Sequence, residues 1–131
     1  MKKIIIDEVE YVPKEKEIET WTDPETELIW EKLGSKKKMS WNEALAYAKT
    51  LGNGWRLPTI QELLSLIDFS ENNPACKING TYSSYYWSST IYANDMDDAW
   101  HVDFYDGDMG YSCKGNSYYV RCIKEGDNYV N

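Results

Sequence analysis

Residues 99–105, Ala-Trp-His-Val-Asp-Phe-Tyr, alternate between apolar side chains (Trp100, Val102, Phe104) and polar or amphipathic ones (His101, Asp103, Tyr105), and Asp106-Gly107 follows at once. A period of two predicts a half-buried strand, with one set of side chains in a core and the other in water. Asp-Gly predicts that this strand turns back on itself as a hairpin. The chain is thereby committed to an antiparallel sheet.

The outward set consists of residue types that bind. The same mixture fills residues 81–119, where eleven of thirty-nine residues are aromatic and Lys114 is the only basic one. Tyrosine offers large contact area at low entropy cost, and Ser, Asn and Asp add adaptable hydrogen bonds, so this is the composition of a recognition surface. Alternation places His101, Asp103 and Tyr105 outward. Tyr92, Asn94, Asp95 and Asp98 precede or open that strand, Asp106 and Asp108 flank the turn, and Tyr111, Asn116 and Tyr118 complete the candidate binding set. The faces of Tyr111 and Cys113 depend on hairpin register, because a slip of one residue reverses every side chain.

A chain of 131 residues suffices for one domain with a proper core, whereas two domains would each be marginal. With 42% hydrophobic residues, six Trp and eleven Tyr, the net charge of −8 belongs to a folded surface. Residues 81–119 alone carry −5, six Asp against one Lys. Polyanion binding rests on Lys and Arg, so nucleic acid and sulfated glycans are not expected as partners; neutral glycans, proteins and cations stay open. After Met1-Lys2-Lys3 only three apolar residues precede the acids, too few for a signal-peptide core. No run reaches membrane-spanning length, and membrane insertion is not expected. Cys76, Cys113 and Cys122 are an odd number, so at least one thiol is unpaired within the chain. Cys122, beside Val120 and Ile123, reads as a core thiol.

The remaining elements follow from caps and periodicity. Residues 1–20 read as a lead-in with one short strand, Thr22 to Thr26 as a turn, and Leu28-Ile29-Trp30 as a short buried strand. Ser40-Trp41-Asn42-Glu43 is a capping box, followed by a helical stripe of Trp41, Ala44, Leu45, Ala48 and Leu51, and Gly52-Asn53-Gly54 stops it. Thr59-Ile60-Gln61-Glu62 is a second box, with Ile60, Leu63, Leu64 and Ile67 on one helical face. Residues 70–82 read as loop, and strands are predicted over 85–90, 99–105, 108–113 and 118–124. Helices first and antiparallel strands afterwards define an α+β class.

The succession WTDPETELIWEK, MSWNEALAYAKTLGNGWRLPTIQELLSLID, YYWSST, AWHVDFYDG and YYVRCIK resembles the Lcl C-terminal domain family, named for a collagen-like bacterial adhesin, from about Trp21 to Lys124. The segment from Trp55 to Leu63 is also similar to the formylglycine-generating-enzyme group. Both resemblances imply a C-type-lectin-like fold, with two helices packed on a small twisted antiparallel sheet and a loop-rich half as ligand face. They further imply that Trp55, Leu57, Pro58, Trp87, Trp100, Phe104 and Val120 are framework. Family members often pair a Cys of the first helix with the Cys of the last strand; here Ala48 stands at that helix position and Cys122 lacks the partner. Related adhesin domains assemble as trimers, although no pattern in this sequence marks such an interface.

Variable proteins of diversity-generating retroelements share that fold, and randomising the adenines of Asn codons yields mainly Asn, Tyr, Asp, His, Ser, Cys and Gly. The candidate binding set, with Ser112, Cys113 and Ser117, falls within those types. An ordinary polar surface is rich in them too. The shortage of Lys, Glu and Gln in residues 81–119 favours the variable-protein reading, which would place the domain on a cell or virion surface.

Other chemistry finds less support. His101 is the only histidine, and no Cys or His spacing suits a metal. The aspartates at 95, 97, 98, 103, 106 and 108 do not follow an EF-hand pattern, and lectin-type Ca²⁺ tripeptides are absent. A copper-binding pair of Cys113 and Cys122 is disfavoured, since a hairpin tipped by Gly115-Asn116 would hold the thiols apart. Arg56 and Arg121 sit within framework motifs and read as structural. The sequence thus predicts a non-enzymatic, cofactor-free domain over 1–131 that presents residues 81–119 to a protein or glycan.

Overall fold

The computed structural model describes residues 17–126. Most of the predicted lead-in, residues 1–16, lies outside the described residues. The elements in order are β1 (Thr20–Thr22), β2 (Ile29–Glu31), α1 (Trp41–Leu51), α2 (Ile60–Leu64), β3 (Tyr85–Ile91), β4 (Asp98–Asp103), β5 (Asp108–Cys113) and β6 (Ile123–Lys124). The class is α+β, but the strands form two three-stranded antiparallel sheets, β1-β2-β6 and β3-β4-β5, where one was expected.

Both helices start where side chains meet the backbone donors that a helix leaves unsatisfied. Ser40 Oγ accepts from Glu43 N at 3.3 Å while Glu43 accepts from Ser40 N at 2.9 Å, and Thr59 and Glu62 repeat the exchange at 3.2 and 2.9 Å. Trp41, Ala44 and Ala48 bury the α1 stripe, with Leu45 and Leu51 half-buried at its margin. In α2 the periodicity outlasts the helix. Leu66 N and Ile67 N bond carbonyls three residues back, a tighter winding that carries Leu66 fully into the core.

The predicted strand over 118–124 is a correction. Only Ile123–Lys124 pair as a strand; Tyr118 bridges Met39, Tyr119 runs parallel to Tyr86, and Val120 accepts from Ser35 N at 2.8 Å. Its backbone groups are shared among several elements, so the segment stitches the two sheets together and forms no hairpin with β5. Two apolar clusters result. Trp30, Leu63, Tyr86, Val102 and Phe104 lie in the first, and Trp41, Trp55, Trp87, Val120 and Cys122 in the second.

The hairpin at Asp106-Gly107 is present, closed by residues 104–107 between the paired Asp103 and Asp108. Phe104, 1% exposed, leaves the ladder for the first cluster, so pairing ends at Asp103, two residues before the alternation does. Gly107 has φ +90°, and a Cβ there would lie 2.7 Å from the Phe69 ring.

Candidate functional site

Period-two alternation distributes the central sheet between the two clusters. Tyr86 and Val102, paired across β3 and β4, face the first; Trp87, Ala99 and His101 face the second. Along β3 and β4 the sheet is covered on both sides, and His101 is therefore buried at 6% exposure, which corrects its expected place on the surface. Its ring stacks on Tyr85 at 4.4 Å and meets Tyr118 edge-on at 5.1 Å. His101 Nε2 lies 2.8 Å from Ser112 Oγ, which also accepts from the Tyr118 hydroxyl at 2.8 Å. Nδ1 is buried without a partner. Burial lowers the His101 pKa, opposed by the charge of Asp103. Tyr118, also expected at the surface, is half-buried as a strut against Trp87, 4.6 Å between centroids.

The register of β4 and β5 pairs Trp100 with Tyr111, which puts Tyr111 on the side opposite His101. There the Tyr111 ring stacks on Tyr92 at 3.9 Å and 7°, and half-buried Trp100 stands edge-on to both, 5.4 and 5.5 Å away. Tyr111 is 48% exposed, as is Met109 two residues earlier on the same face of β5. Asn94 donates to the Tyr92 hydroxyl at 3.3 Å, and Asp95 accepts from Asp97 N in the exposed loop that leads into Asp98. This is an ordered aromatic face with a polar margin.

The candidate residues thus divide between two sides of the β4–β5 hairpin. Tyr92, Asn94, Asp95, Asp98 and Tyr111 gather around the tyrosine stack. Asp103, Asp106 and Asp108 lie with His101 and Tyr85 along an open groove of about 520 Å³. Tyr105, 56% exposed, stands at the hairpin tip beside a second hollow that Phe69 also lines. Asn116 is exposed in the turn after β5, and Lys114 is drawn aside, its ammonium 4.3 Å from the Trp41 ring. Sequence reasoning missed Tyr85, Met109 and Phe69. A lone Phe among the polar residues of Asp68 to Asn73 was the available signal for the last.

Arg121, 1% exposed, donates to Thr81 Oγ1 at 2.7 Å and to the Lys32 and Leu33 carbonyls at 2.9 and 3.2 Å. Arg56 grips Glu62 through two bonds of 2.8 and 2.9 Å and reaches Glu125 at 2.5 Å. Both arginines serve the framework. All three thiols are free; Cys113 is exposed, whereas burial and the nearby Glu31 carboxylate push the Cys122 thiol up. Among the described residues no group of three or more His, Cys, Asp or Glu side chains is placed to hold a metal, and no helix is long and apolar enough to cross a membrane.

Two capped helices, paired small sheets and an ordered tyrosine-rich outer face define a small α+β domain with a candidate recognition surface. The model of the Lcl C-terminal domain family matches residues 19–124, and the chain belongs to that family. No curated protein matches it.

Proposed function

We propose that this is a binding domain of C-type-lectin-like fold that captures a macromolecular partner without chemistry, through the face built on Tyr92, Trp100 and Tyr111. The observation that carries the reading is the parallel Tyr92–Tyr111 stack, Tyr111 exposed and Tyr92 half-buried, with Trp100 edge-on to both rings. Aromatic rings already ordered before binding give contact area with little further entropy loss, which is how paratopes and hot spots gain affinity. Asn94, Asp95 and Asp98 would supply the hydrogen-bonding margin.

The finer form of the proposal is a retroelement-diversified receptor-binding protein. Its support is that exposed Asn94, Asp95, Tyr105, Asp106, Asp108, Tyr111 and Asn116 alternate with buried Ala99, Val102 and Phe104, so the former can change while the core stays intact. His101 and Tyr118 have the same residue chemistry but pack as structure. A nearby reverse transcriptase, with a near-copy of the 81–119 coding segment differing mainly at adenines, is expected in the genome; absence of both leaves an undiversified adhesin.

The binding reading is tested by a screen of cell-surface proteins and glycans, with and without Ca²⁺, repeated on Tyr92→Ala and Tyr111→Ala. Each substitution should weaken capture by about 2 kcal/mol, roughly thirtyfold, with little change in unfolding midpoint. Capture that survives both substitutions in a folded protein rejects this face as the site.

A further inference from the structure

Of the outer edges of the two sheets, that of β5 alone is both long and bare among the described residues. Beyond β3, Trp87 N donates to Tyr119 O and Tyr119 N to Tyr85 O, both at 3.0 Å. Beyond β6, Arg56 N donates to Ile123 O at 3.0 Å and Ile123 N to Arg56 O at 2.9 Å, and β1 is only three residues long. The six residues of β5 close the β3-β4-β5 order. Lys114 N continues their register by donating to Asp97 O at 2.8 Å, so alternation turns the backbone of Asp108, Gly110 and Ser112 toward β4 and that of Met109, Tyr111 and Cys113 outward. Cys113 O accepts from Asn116 N at 3.0 Å; among the described residues nothing meets the N–H groups of Met109, Tyr111 and Cys113 or the carbonyls of Met109 and Tyr111. Devices that keep an edge from pairing are missing, since residues 108–113 hold no Pro and no Lys and their register runs without a bulge.

We propose that β5 pairs antiparallel with β5 of a second copy of this chain, about a two-fold axis at Tyr111, to make one continuous sheet across the pair. In that register the strand is its own complement. The outward N–H and carbonyl of Tyr111 bond those of Tyr111 in the other copy, Met109 opposes Cys113, Gly110 opposes Ser112, and Asp108 opposes Lys114, each twice by symmetry. Asp108 is exposed and its carboxylate accepts no hydrogen bond among the described residues, while the Lys114 ammonium has the Trp41 ring for company and no carboxylate. Opposite charges facing each other across an antiparallel pair stabilise it, and like charges destabilise it. Moving the axis to Met109 or Cys113 sets Asp108 against Gly110 or Tyr118 and loses both ion pairs, and a strand of unrelated sequence leaves both charges unanswered. This complementarity is what selects a second copy as the occupant of the edge. The inference rests on backbone groups and two charges, and it stands without the tyrosine face being a binding site.

The test is sedimentation velocity of the full chain at low salt. A ladder this short lies at the low end of interface size, so the parent should pass from monomer to dimer over roughly 10 μM to 1 mM. Asp108→Lys alone and Lys114→Glu alone set like charges opposite each other, and each should raise the dissociation constant about tenfold or more. Asp108→Lys also reduces the net charge of −8 by two, which by general repulsion would strengthen association, so its weakening reports the register. An equimolar mixture of the two single variants restores both ion pairs and should associate like the parent, as should the double variant. In hydrogen exchange the Met109 and Tyr111 amides should gain protection only where the dimer forms, whereas the Gly110 and Ser112 amides are protected throughout. A chain still monomeric at about 1 mM, a dimer whose Met109 and Tyr111 amides stay open, or single variants and mixture that associate alike would overturn the proposal. Tyr92→Ala should dimerise like the parent, so loss of partner capture in that variant with the dimer intact separates this edge from the tyrosine face.

Discussion

At the scale of single residues, His101 is where local pattern and tertiary packing part. Alternation assigns it correctly to the face opposite Val102, and sequence then equates that face with solvent. The equation fails because α1, Trp87 and Tyr118 cover the second face, and nothing in Trp-His-Val-Asp-Phe says how many layers a sheet lies between. Burial has a measurable consequence. With its pKa held below the ordinary 6.5 in the folded state, His101 binds a proton less readily there than in the unfolded chain. Its contribution to stability is complete above the unfolded value and is lost as pH falls from there through the folded value. Because the chain has a single histidine, the stability slope between about pH 7 and 5 reads this site. Denaturant unfolding of the parent should weaken over that window, and His101→Phe should weaken less; identical slopes would remove the assignment.

The elements were legible in proportion to how local their causes are. Capping boxes require residues three apart, and both helices begin where Ser40 and Thr59 predict. Their ends differ in clarity, since Gly52 stops α1 while α2 passes into tighter winding after five residues without a glycine. A five-residue helix has almost no cooperativity of its own and rests on its tertiary contacts. Glu62 adds local anchors to these, accepting from the N-cap Thr59 N and holding the Arg56 fork six residues back, whereas Glu43 in α1 answers only Ser40 among the bonds seen. Although burial alone would raise the Glu62 pKa, Arg56 and Thr59 together lower it. Since the Arg56 side chain is 38% exposed, solvent screens the pair and its value is modest. Glu62→Gln should cost about 1–2 kcal/mol, against about 0.5 kcal/mol or less for Glu43→Gln. Equal losses in urea titrations would show that the Arg56 contact adds nothing.

For the whole molecule, the strands of the central sheet were readable from alternation and the Asp-Gly turn, but its division from a second sheet was not. That division is set by the path of residues 118–124, whose apolar and aromatic run looks like a strand while its backbone is bonded to Met39, Ser35, Tyr85 and Arg56 in turn. Only long-range pairing decides it. For the same reason the candidate site was legible as a composition and not as a surface: Tyr92 and Tyr111 meet because Trp100 opposes Tyr111 in the register, which also sends His101 and the three aspartates to the other side. Arg121 fixes the path of that stitching segment. Its guanidinium ties Thr81 and the Lys32–Leu33 turn to the segment from the inside, and the Tyr86 ring lies 5.8 Å away. Replacing it by Met preserves most of the bulk yet removes the donor from two part-buried carbonyls and from Thr81 Oγ1, which keeps its bond to Ile78 O, a loss of about 2 kcal/mol. If the stitch couples the sheets, Arg121→Met should lower the midpoints followed by tryptophan fluorescence and by far-ultraviolet circular dichroism together. Separation of those two transitions, with the helices and central sheet persisting after β1-β2-β6 has melted, would show that the sheets hold independently and that the segment merely rests between them.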